Sequence, residues 1–421
     1  PERIPLMVAH AYAAEAEAQL SRRRSDQLVI DAINEAIREY DRLNYPRGYQ
    51  SARIQMATYY FYLREYAESE KWLSTAERKA VEINDLRAQS DIAMVRVEIS
   101  IDRGRYSEAL TMLERASDLY NRLRFVPGLS ATLEQRLRIY LDQARYDEAI
   151  EVIEFSRENY SDISISFDSR IAFYQGRYYE QIGQSELALT YYDQSLAGFE
   201  ESGEVLSVVD VQLQKARVLQ RRGQYEEALE LISKLRPLVA EQESNFHLGQ
   251  IDAALGDNYV LSWSADANRT STSEAIRQAQ QAYRQAIENY TVVNNVAGLA
   301  RVNNSVGELE LLLFETSLTE PQRYKVSNAS IHRSLELYRI IGNSLGVADA
   351  LYNLGRFSLL AREYNTAEGY FYQSLNEEGD NDPLRRANIL TSLGLTYEYK
   401  HAARNLGFGV ASNDLFLAVE K

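Results

Sequence analysis

The sequence predicts an all-α fold, an α-α superhelix of nine to ten stacked helical hairpins running as one domain through residues 1–421. Three observations predict it. A short turn motif, Gly-x-Tyr-x-x-Ala, recurs between amphipathic stretches, and its copies stand close to 40 residues apart over most of the chain. That period leaves room for two helices of about 16 residues each plus two short turns. The composition, 45% apolar and 25% charged with seven Pro, suits a chain that buries a large core. Length alone would predict about three compact domains, but a repeat array grows without forming separate cores.

The turn is clearest at Gly223-Gln224-Tyr225-Glu226-Glu227-Ala228. Arg105-Tyr106-Ser107-Glu108-Ala109, Arg145-Tyr146-Asp147-Glu148-Ala149, Gly183-Gln184-Ser185-Glu186-Leu187-Ala188 and Glu363-Tyr364-Asn365-Thr366-Ala367 vary it. Aligning on the small residue after each turn gives Val29, Ser69, Ala109, Ala149, Ala188, Ala228, Ala279, Ser327, Ala367 and, most weakly, Ala411. The steps are 40, 40, 40, 39, 40, 51, 48, 40 and 44. Seven residues after the anchor comes a small and aliphatic pair, as in Ala36-Ile37, Ser195-Leu196, Ala286-Ile287, Ser334-Leu335 and Ser374-Leu375. An aromatic follows at Tyr40, Phe199, Tyr290 and Tyr338. These spacings hold one helical face, the core between repeats.

Twelve residues before the anchor, the first helix of the regular repeats carries Ala57, Gly176, Ala216 or Gly355, and Gly256, Gly307 and Gly394 take the matching place in the irregular ones. Tyr60, Tyr179, Tyr259 and Tyr397 stand three residues further on. Leu354-Gly355 with Tyr364 and Ala367, and Leu393-Gly394 with Tyr397, resemble the Leu-Gly, Tyr and Ala of the tetratricopeptide repeat. The resemblance covers nearly the whole chain. The period exceeds the usual 34 residues and is similar to the extended repeats of kinesin light chains and of bacterial sensor and regulatory proteins, although the family's Trp is missing from these helices. Pro46, Pro127 and Pro383 sit between hairpins, where a fixed φ helps to start a helix. Pro237 falls inside a second helix and should kink it or end it early. The two long steps imply insertions near residues 262–273 and 316–325, at helix-joining turns.

Chemistry-bearing motifs are sparse. No phosphate loop, nucleophile elbow or dinucleotide fingerprint occurs, and no Cys is present for a disulfide, a thiolate site or a nucleophile. His10, His247, His332 and His401 stand too far apart for a helical metal pair. Glu377-Glu378-Gly379-Asp380-Asn381-Asp382 lacks the closing Glu of a calcium loop. The reading is a protein that is not an enzyme, with no cofactor and no metal.

A net charge of −15 gives no footprint for nucleic acid or an anionic membrane and favours basic partners overall. The runs Arg22-Arg23-Arg24, Arg221-Arg222 and Arg385-Arg386 read as solvated helix ends. No apolar run is long enough to cross a bilayer and no signal pattern opens the chain. The protein reads as soluble, with the cytoplasm ahead of export. The start at Pro1 fits a processed protein or a piece of a longer one.

In stacked hairpins the first helices line the concave wall. With the Gly/Ala position taken as eighth in each repeat, positions two, five, nine and twelve share the face turned from the core. They yield a central ladder of Arg138, Arg170, Arg177 and Arg217, with Phe173 and Leu213 beside it, flanked by Asp91, Glu98, Glu134 and Asp210. Later repeats add Arg301, Asn304, Tyr352 and Arg356; among the 30 Tyr, Tyr62 and Tyr352 are the groove candidates. Guanidinium forks fit carboxylates and carbonyls bidentately, as an extended peptide or acidic segment presents them. The same arginines could instead pair with acids of adjacent repeats and hold the groove together.

Three functions follow as expectations: a scaffold that binds a protein or peptide in the groove, a regulatory sensor segment of a larger bacterial signalling ATPase, kinase or transcription regulator, and an architectural spacer.

Overall fold

A computed structural model describes residues 3–21, 27–161, 164–267, 273–316, 321–378 and 383–405. Among these residues there are twenty helices and no strand, and the fold is an α-α solenoid. In chain order the helices are α1 (Arg3–Ser21), α2 (Gln27–Arg42), α3 (Pro46–Tyr62), α4 (Tyr66–Glu82), α5 (Leu86–Asp102), α6 (Tyr106–Leu123), α7 (Val126–Asp142), α8 (Tyr146–Tyr160), α9 (Ile165–Gln181) and α10 (Ser185–Ser202). There follow α11 (Val205–Arg221), α12 (Tyr225–Ser233), α13 (Leu235–Glu241), α14 (Asn245–Ala265), α15 (Glu274–Val292), α16 (Val296–Thr316), α17 (Pro321–Ile341), α18 (Ser344–Leu360), α19 (Tyr364–Glu378) and α20 (Pro383–Asn405). Backbone contacts gather Pro1–Leu255 with Glu288–Asn295 into a first unit, and Gly256–Ile287 with Val296–Lys421 into a second.

One turn closes nearly every helix of the array. A residue of positive φ stands at 44, 64, 84, 104, 124 and 144, then at 183, 203 and 223, twenty residues apart within each run. At Gly223, with φ of 75°, the Gly223 N–H donates to Gln220 at 3.0 Å and the Gln224 N–H to Leu219 at 2.9 Å. This is the paired closure that satisfies the last carbonyls of a helix. The pairing repeats at Asn44, where Tyr45 donates to Tyr40 at 2.9 Å, and at Gly342, where Asn343 donates to Tyr338 at 3.0 Å.

The anchors behave as the spacing requires. Ala109, Ala149, Ala188, Ala228, Ala279 and Ala367 have no exposed surface, nor do Val29, Ser69 and Ser327. Where the anchor is Ser, its hydroxyl reaches the first helix: Ser69 Oγ donates to the Ala57 carbonyl and Ser327 Oγ to that of Gly307, both at 2.8 Å. The glycines of the first helices make room for rings. A Cβ on Gly176 would lie 2.5 Å from the Tyr192 ring, and one on Gly355 2.5 Å from Phe371. Tyr40, Phe199, Tyr290 and Tyr338 are buried, at 2%, 2%, 2% and 9% exposure, as the face between repeats demands.

In the first unit α1, α3, α5, α7 and α9 each pack against the next first helix, up to α11, and in the second unit α16 packs on α18 and α18 on α20. Among the described residues no comparable contact joins successive second helices. Within each unit the first helices are therefore the more crowded layer.

Two local features refine the sequence reading. The helix expected to suffer from Pro237 breaks at Lys234 into α12 and α13, because a proline has no N–H to donate to the carbonyl four residues before it. The long repeat steps are absorbed largely by helix. α14, α16 and α17 each span 21 residues, and Ser262–Ala265 continue α14 with Trp263 buried at 4% exposure, since a buried indole on the helical face favours extending the helix over leaving it. Residues 268–272 and 317–320, the remainder of the expected insertions, lie outside the described residues, as do Arg22-Arg23-Arg24, Ala411 and residues 379–382.

Candidate functional site in the groove of the first helices

Position nine of the first helices carries Arg138 on α7 and Arg177 on α9, and position two of α9 carries Arg170; all three are half-buried. Each reaches a carboxylate of a neighbouring repeat. Arg138 Nη1 lies 3.3 Å from Glu98 of α5, with Asp142 of its own helix 4.0 Å from Nε. Arg177 Nη2 donates to Asp142 of α7 at 2.9 Å. Arg170 stands between two acids, Glu134 of α7 and Glu204 at the start of α11, each 3.1 Å away, and it also donates to Ser166 Oγ at 2.6 Å. Glu98, Arg138, Asp142 and Arg177 thus form one continuous chain of charges across α5, α7 and α9.

Apolar rings frame this floor. Arg177 lies over the Tyr174 ring at 5.9 Å and Arg170 over Phe199 at 5.9 Å. Phe173 packs at 5.4 Å from Tyr174 and 6.0 Å from Tyr192, partly buried against the cluster around Tyr192. The Tyr192 hydroxyl donates to Glu180 at 2.6 Å.

The electrostatics follow from crowding. Burial lifts the Glu134 carboxyl to about 7, with Arg170 opposing the rise and Glu204 adding to it. At Glu204 burial acts the same way, but hydrogen bonds from Ser166 and Ser207 and the Arg170 charge outweigh it and hold the carboxyl below its ordinary value. One guanidinium therefore serves two carboxylates of opposite tendency. Burial alone would lower Arg138 and Arg177; Glu98 and Asp142 for the first, Asp142 for the second, overcome it and keep both cationic.

The remaining expected residues fall in different settings. Arg217 is exposed on α11 and donates to Gln214 at 3.1 Å. Leu213 departs from the expectation of a groove residue: it is 8% exposed and belongs to the core cluster with Val209, Ala216 and Ile232. Ile101, Leu141 and Gln220, at position twelve, are buried as well. A first helix touches its own second helix and the first helices on both sides, so the free stripe is narrower than four positions.

In the second unit Arg301 of α16 lies 3.4 Å from Asp257, Arg356 of α18 lies 3.2 Å from Glu308, and Asn304 accepts from Asn353 Nδ2 at 3.2 Å. Tyr352 is half-buried, 5.8 Å from the Phe371 ring, and accepts from Ser392 at 3.3 Å. Tyr62 packs against the core cluster of Leu20, Val29, Ile33 and Met56, with its ring 5.4 Å from that of Phe61. The structure thus joins Arg138, Arg170, Phe173 and Arg177 on adjacent helices.

Sequence reasoning named Glu98 and Glu134 but missed Asp142, Glu204 and Tyr174. Asp142 was discoverable, since it ends α7 as Asp102 ends α5, forty residues apart, and Asp102 pairs with Arg64. A cleft of about 520 Å³ was also missed; Arg47, Ser51, Asp85, Arg87 and Asp91 line it at the starts of α3 and α5, with Arg87 stacked 3.8 Å over Phe125. The short basic runs prove paired: Arg221 with Glu180 at 3.0 Å, Arg222 with Glu186 at 2.8 Å, Arg385 with Asp349 at 2.8 Å. Buried His247 lies 2.7 Å from Ser244 Oγ, and His10 Nδ1 lies 2.8 Å from the Tyr40 hydroxyl. Among the described residues no helix is long and apolar enough to cross a membrane.

Residues 135–202, which hold most of this floor, match the tetratricopeptide repeat family model. No curated protein matches the sequence. Solved structures share the fold at low identity. A Rap protein complexed with competence and sporulation factor is 12% identical, over 90% of this chain and 98% of that one, with a TM-score of 0.57. The apo form of the quorum sensor NprR from B. thuringiensis is 16% identical over 78% and 87%, with a TM-score of 0.53. A human IFIT1 dimer with PPP-AAAA is 13% identical over 99% and 95%, with a TM-score of 0.54. The chain is a tetratricopeptide-like helical-repeat protein.

Proposed function

We propose that the protein is a non-enzymatic scaffold that binds an extended protein segment in the groove of its first unit. The observation that carries this reading is the line of half-exposed guanidinium groups, Arg138, Arg170 and Arg177, set beside Phe173 and Tyr174 on the adjacent helices α7 and α9. Each fork has five N–H donors, and the contacts to internal carboxylates use only some of them. A backbone carbonyl or an acidic side chain of an extended partner fits those donors, and the rings supply apolar contact along its length. The internal ion pairs hold the forks in place before the partner arrives, which lowers the ordering cost of binding.

A second reading, that the chain is the sensor segment of a larger signalling protein and that its groove receives an effector, is supported by the likeness to a quorum sensor over 78% of the chain. The IFIT1 structure holds a triphosphate-bearing RNA, so nucleic acid belongs in the same test.

Fluorescence anisotropy with labelled eight-residue peptides rich in Asp and Glu, their Asn and Gln counterparts, and a 5′-triphosphate oligoadenylate separates these outcomes. The acidic peptides should bind, and the variant R170E/R217E should lose them at least tenfold while its far-UV circular dichroism stays unchanged. Equal binding by that folded variant overturns the groove assignment; preference for the RNA overturns the peptide reading.

A further inference from the structure

The cleft of about 520 Å³ opens where the starts of α3 and α5 meet the end of α6, and its charged lining is Arg47, Asp85, Arg87 and Asp91. Arg47 and Arg87 stand forty residues apart, each the second residue of its helix. The same place holds Pro127 in α7, Ser166 in α9 and Leu206 in α11. The two arginines are therefore local to this cleft and are not a requirement of the repeat. Helix stability does not ask for them either, because the first turn of a helix is its positive end and favours acids.

The acids of the cleft are already engaged. Asp85, buried at 9% exposure, accepts from the Ala88 N–H at 3.1 Å and caps α5. Asp91 takes the Arg87 Nε–H between its two oxygens, at 2.9 Å from each, and accepts from the Tyr120 hydroxyl at 2.7 Å. The guanidinium groups are engaged far less. Arg87 stacks 3.8 Å over the Phe125 ring, and with Nε given to Asp91 its two terminal nitrogens have no partner among the described residues. Arg47 is exposed and has no partner at any nitrogen among the described residues.

Two features set the chemistry of a ligand. Two arginines and two aspartates leave the empty cleft formally neutral, so it accommodates one negative charge better than two. Ile54, Leu86 and Leu123, all at least partly exposed, give it an apolar wall, the usual make-up of a small-molecule site. We propose that this cleft binds a small monocarboxylate with an apolar body. The carboxylate lies between Arg47 and the terminal nitrogens of Arg87, and the body lies against Ile54, Leu86 and Leu123. Guanidinium forks match the plane of a carboxylate, and the Asp91 pair and the Phe125 stack orient Arg87 before the ligand arrives. The inference is independent of the groove reading, since no residue lining the cleft belongs to α7 or α9.

Ligand-observed NMR titration of the full chain tests it with four probes: 3-phenylpropionate, its amide, phenyl phosphate, and an N-acetylated peptide ending in a free Phe carboxylate. 3-Phenylpropionate should bind at least tenfold tighter than the amide, and slow amide hydrogen exchange in residues 47–54 and 84–91. R47A, at an exposed residue without a partner, should weaken it at least fivefold while far-UV circular dichroism stays unchanged. No saturable binding of 3-phenylpropionate, or equal binding by the amide or by folded R47A, overturns the site. Tighter binding of phenyl phosphate overturns the single-charge assignment, and binding of the peptide without the free acid overturns the small-molecule occupant.

Discussion

Position nine of the first helices runs through charge differently in the two units. In the first it holds Glu98 on α5 and then Arg138, Arg177 and Arg217 on three successive first helices; in the second it holds two acids, Asp257 and Glu308, and then Arg356. The repeat backbone is the same, so the difference lies in side chains alone. In the first unit arginines project from the middle of the wall and acids brace them from Glu98, Asp142 and Glu134. In the second, the acids at position nine are met by arginines of the following first helix, Arg301 to Asp257 and Arg356 to Glu308, as Arg138 meets Glu98 in the first; what the second lacks is a run of three arginines. Under the proposed function, an anionic or carbonyl-rich segment belongs with the first unit. Of the two sequence readings of the arginines, bracing is seen in these ion pairs, and binding is the proposal built on the same guanidinium groups.

The largest effect should come from removing a braced fork. Arg177 and Asp142 keep only 20% and 27% of their side-chain surface exposed, whereas Glu308, the partner of Arg356, keeps 47%. Stripping a half-buried carboxylate of its partner costs more than stripping a surface one. R177A should lose about 2 kcal/mol in urea denaturation and R356A less than about 1 kcal/mol, scaled down from the fully buried case. Equal losses would break the contrast between the units. A cycle with D142N assigns the share due to that pair, with a coupling of about 1 kcal/mol.

Much of this was legible in the sequence because repeats announce themselves by spacing. Ala109, Ala149, Ala188 and Ala228 fixed the hairpin register, and Gly223 fixed the turn, since few residues tolerate φ of 75°. The groove was legible only by periodicity, which says which residues share a helical face and is silent on how wide the free part of that face is. Leu213 shows the limit: it shares a face with Arg217 and still packs into the core with Val209 and Ala216. Asp142 and Glu204 escaped notice because they pair across 35 and 34 residues, from the end of one helix and the start of another, and only the packing angle between repeats brings them to the arginines. Trp263 escaped for a related reason, since a Ser-rich neighbourhood reads as a loop until its indole finds a buried place.

A second, smaller effect sharpens the first unit's side of the comparison. Glu134 titrates at about 7 in the folded chain against an ordinary value of 4.5, so between these pH values the folded state holds more protons than the unfolded one. Stability therefore rises as pH falls through about 7 and levels off below about 4.5. The urea midpoint of wild-type protein should climb on acidification from pH 8 to 5, against the general trend of acid destabilisation by other carboxylates. E134Q should remove that component and be about 1 kcal/mol more stable than wild type at pH 8. An identical pH profile for E134Q and wild type would show that Glu134 is charged in the native groove and that Arg170 is fully committed to it.

The smallest stability effect belongs to Arg217, and it discriminates best. Arg217 is exposed and donates to Gln214 of the same helix at 3.1 Å, so R217A should change the urea midpoint by no more than about 0.5 kcal/mol, as surface substitutions do. Its position nine continues the line of Arg138 and Arg177, however, and a segment lying along that line meets it after Arg177. R217A should then weaken binding of an acidic eight-residue peptide by about tenfold, the loss of one charge-assisted contact, whereas R356A in the second unit should leave that binding unchanged. If R356A weakens the peptide as much as R217A does, the recognition follows total charge rather than the arginine line of the first unit, and the distinction between the units holds for folding alone.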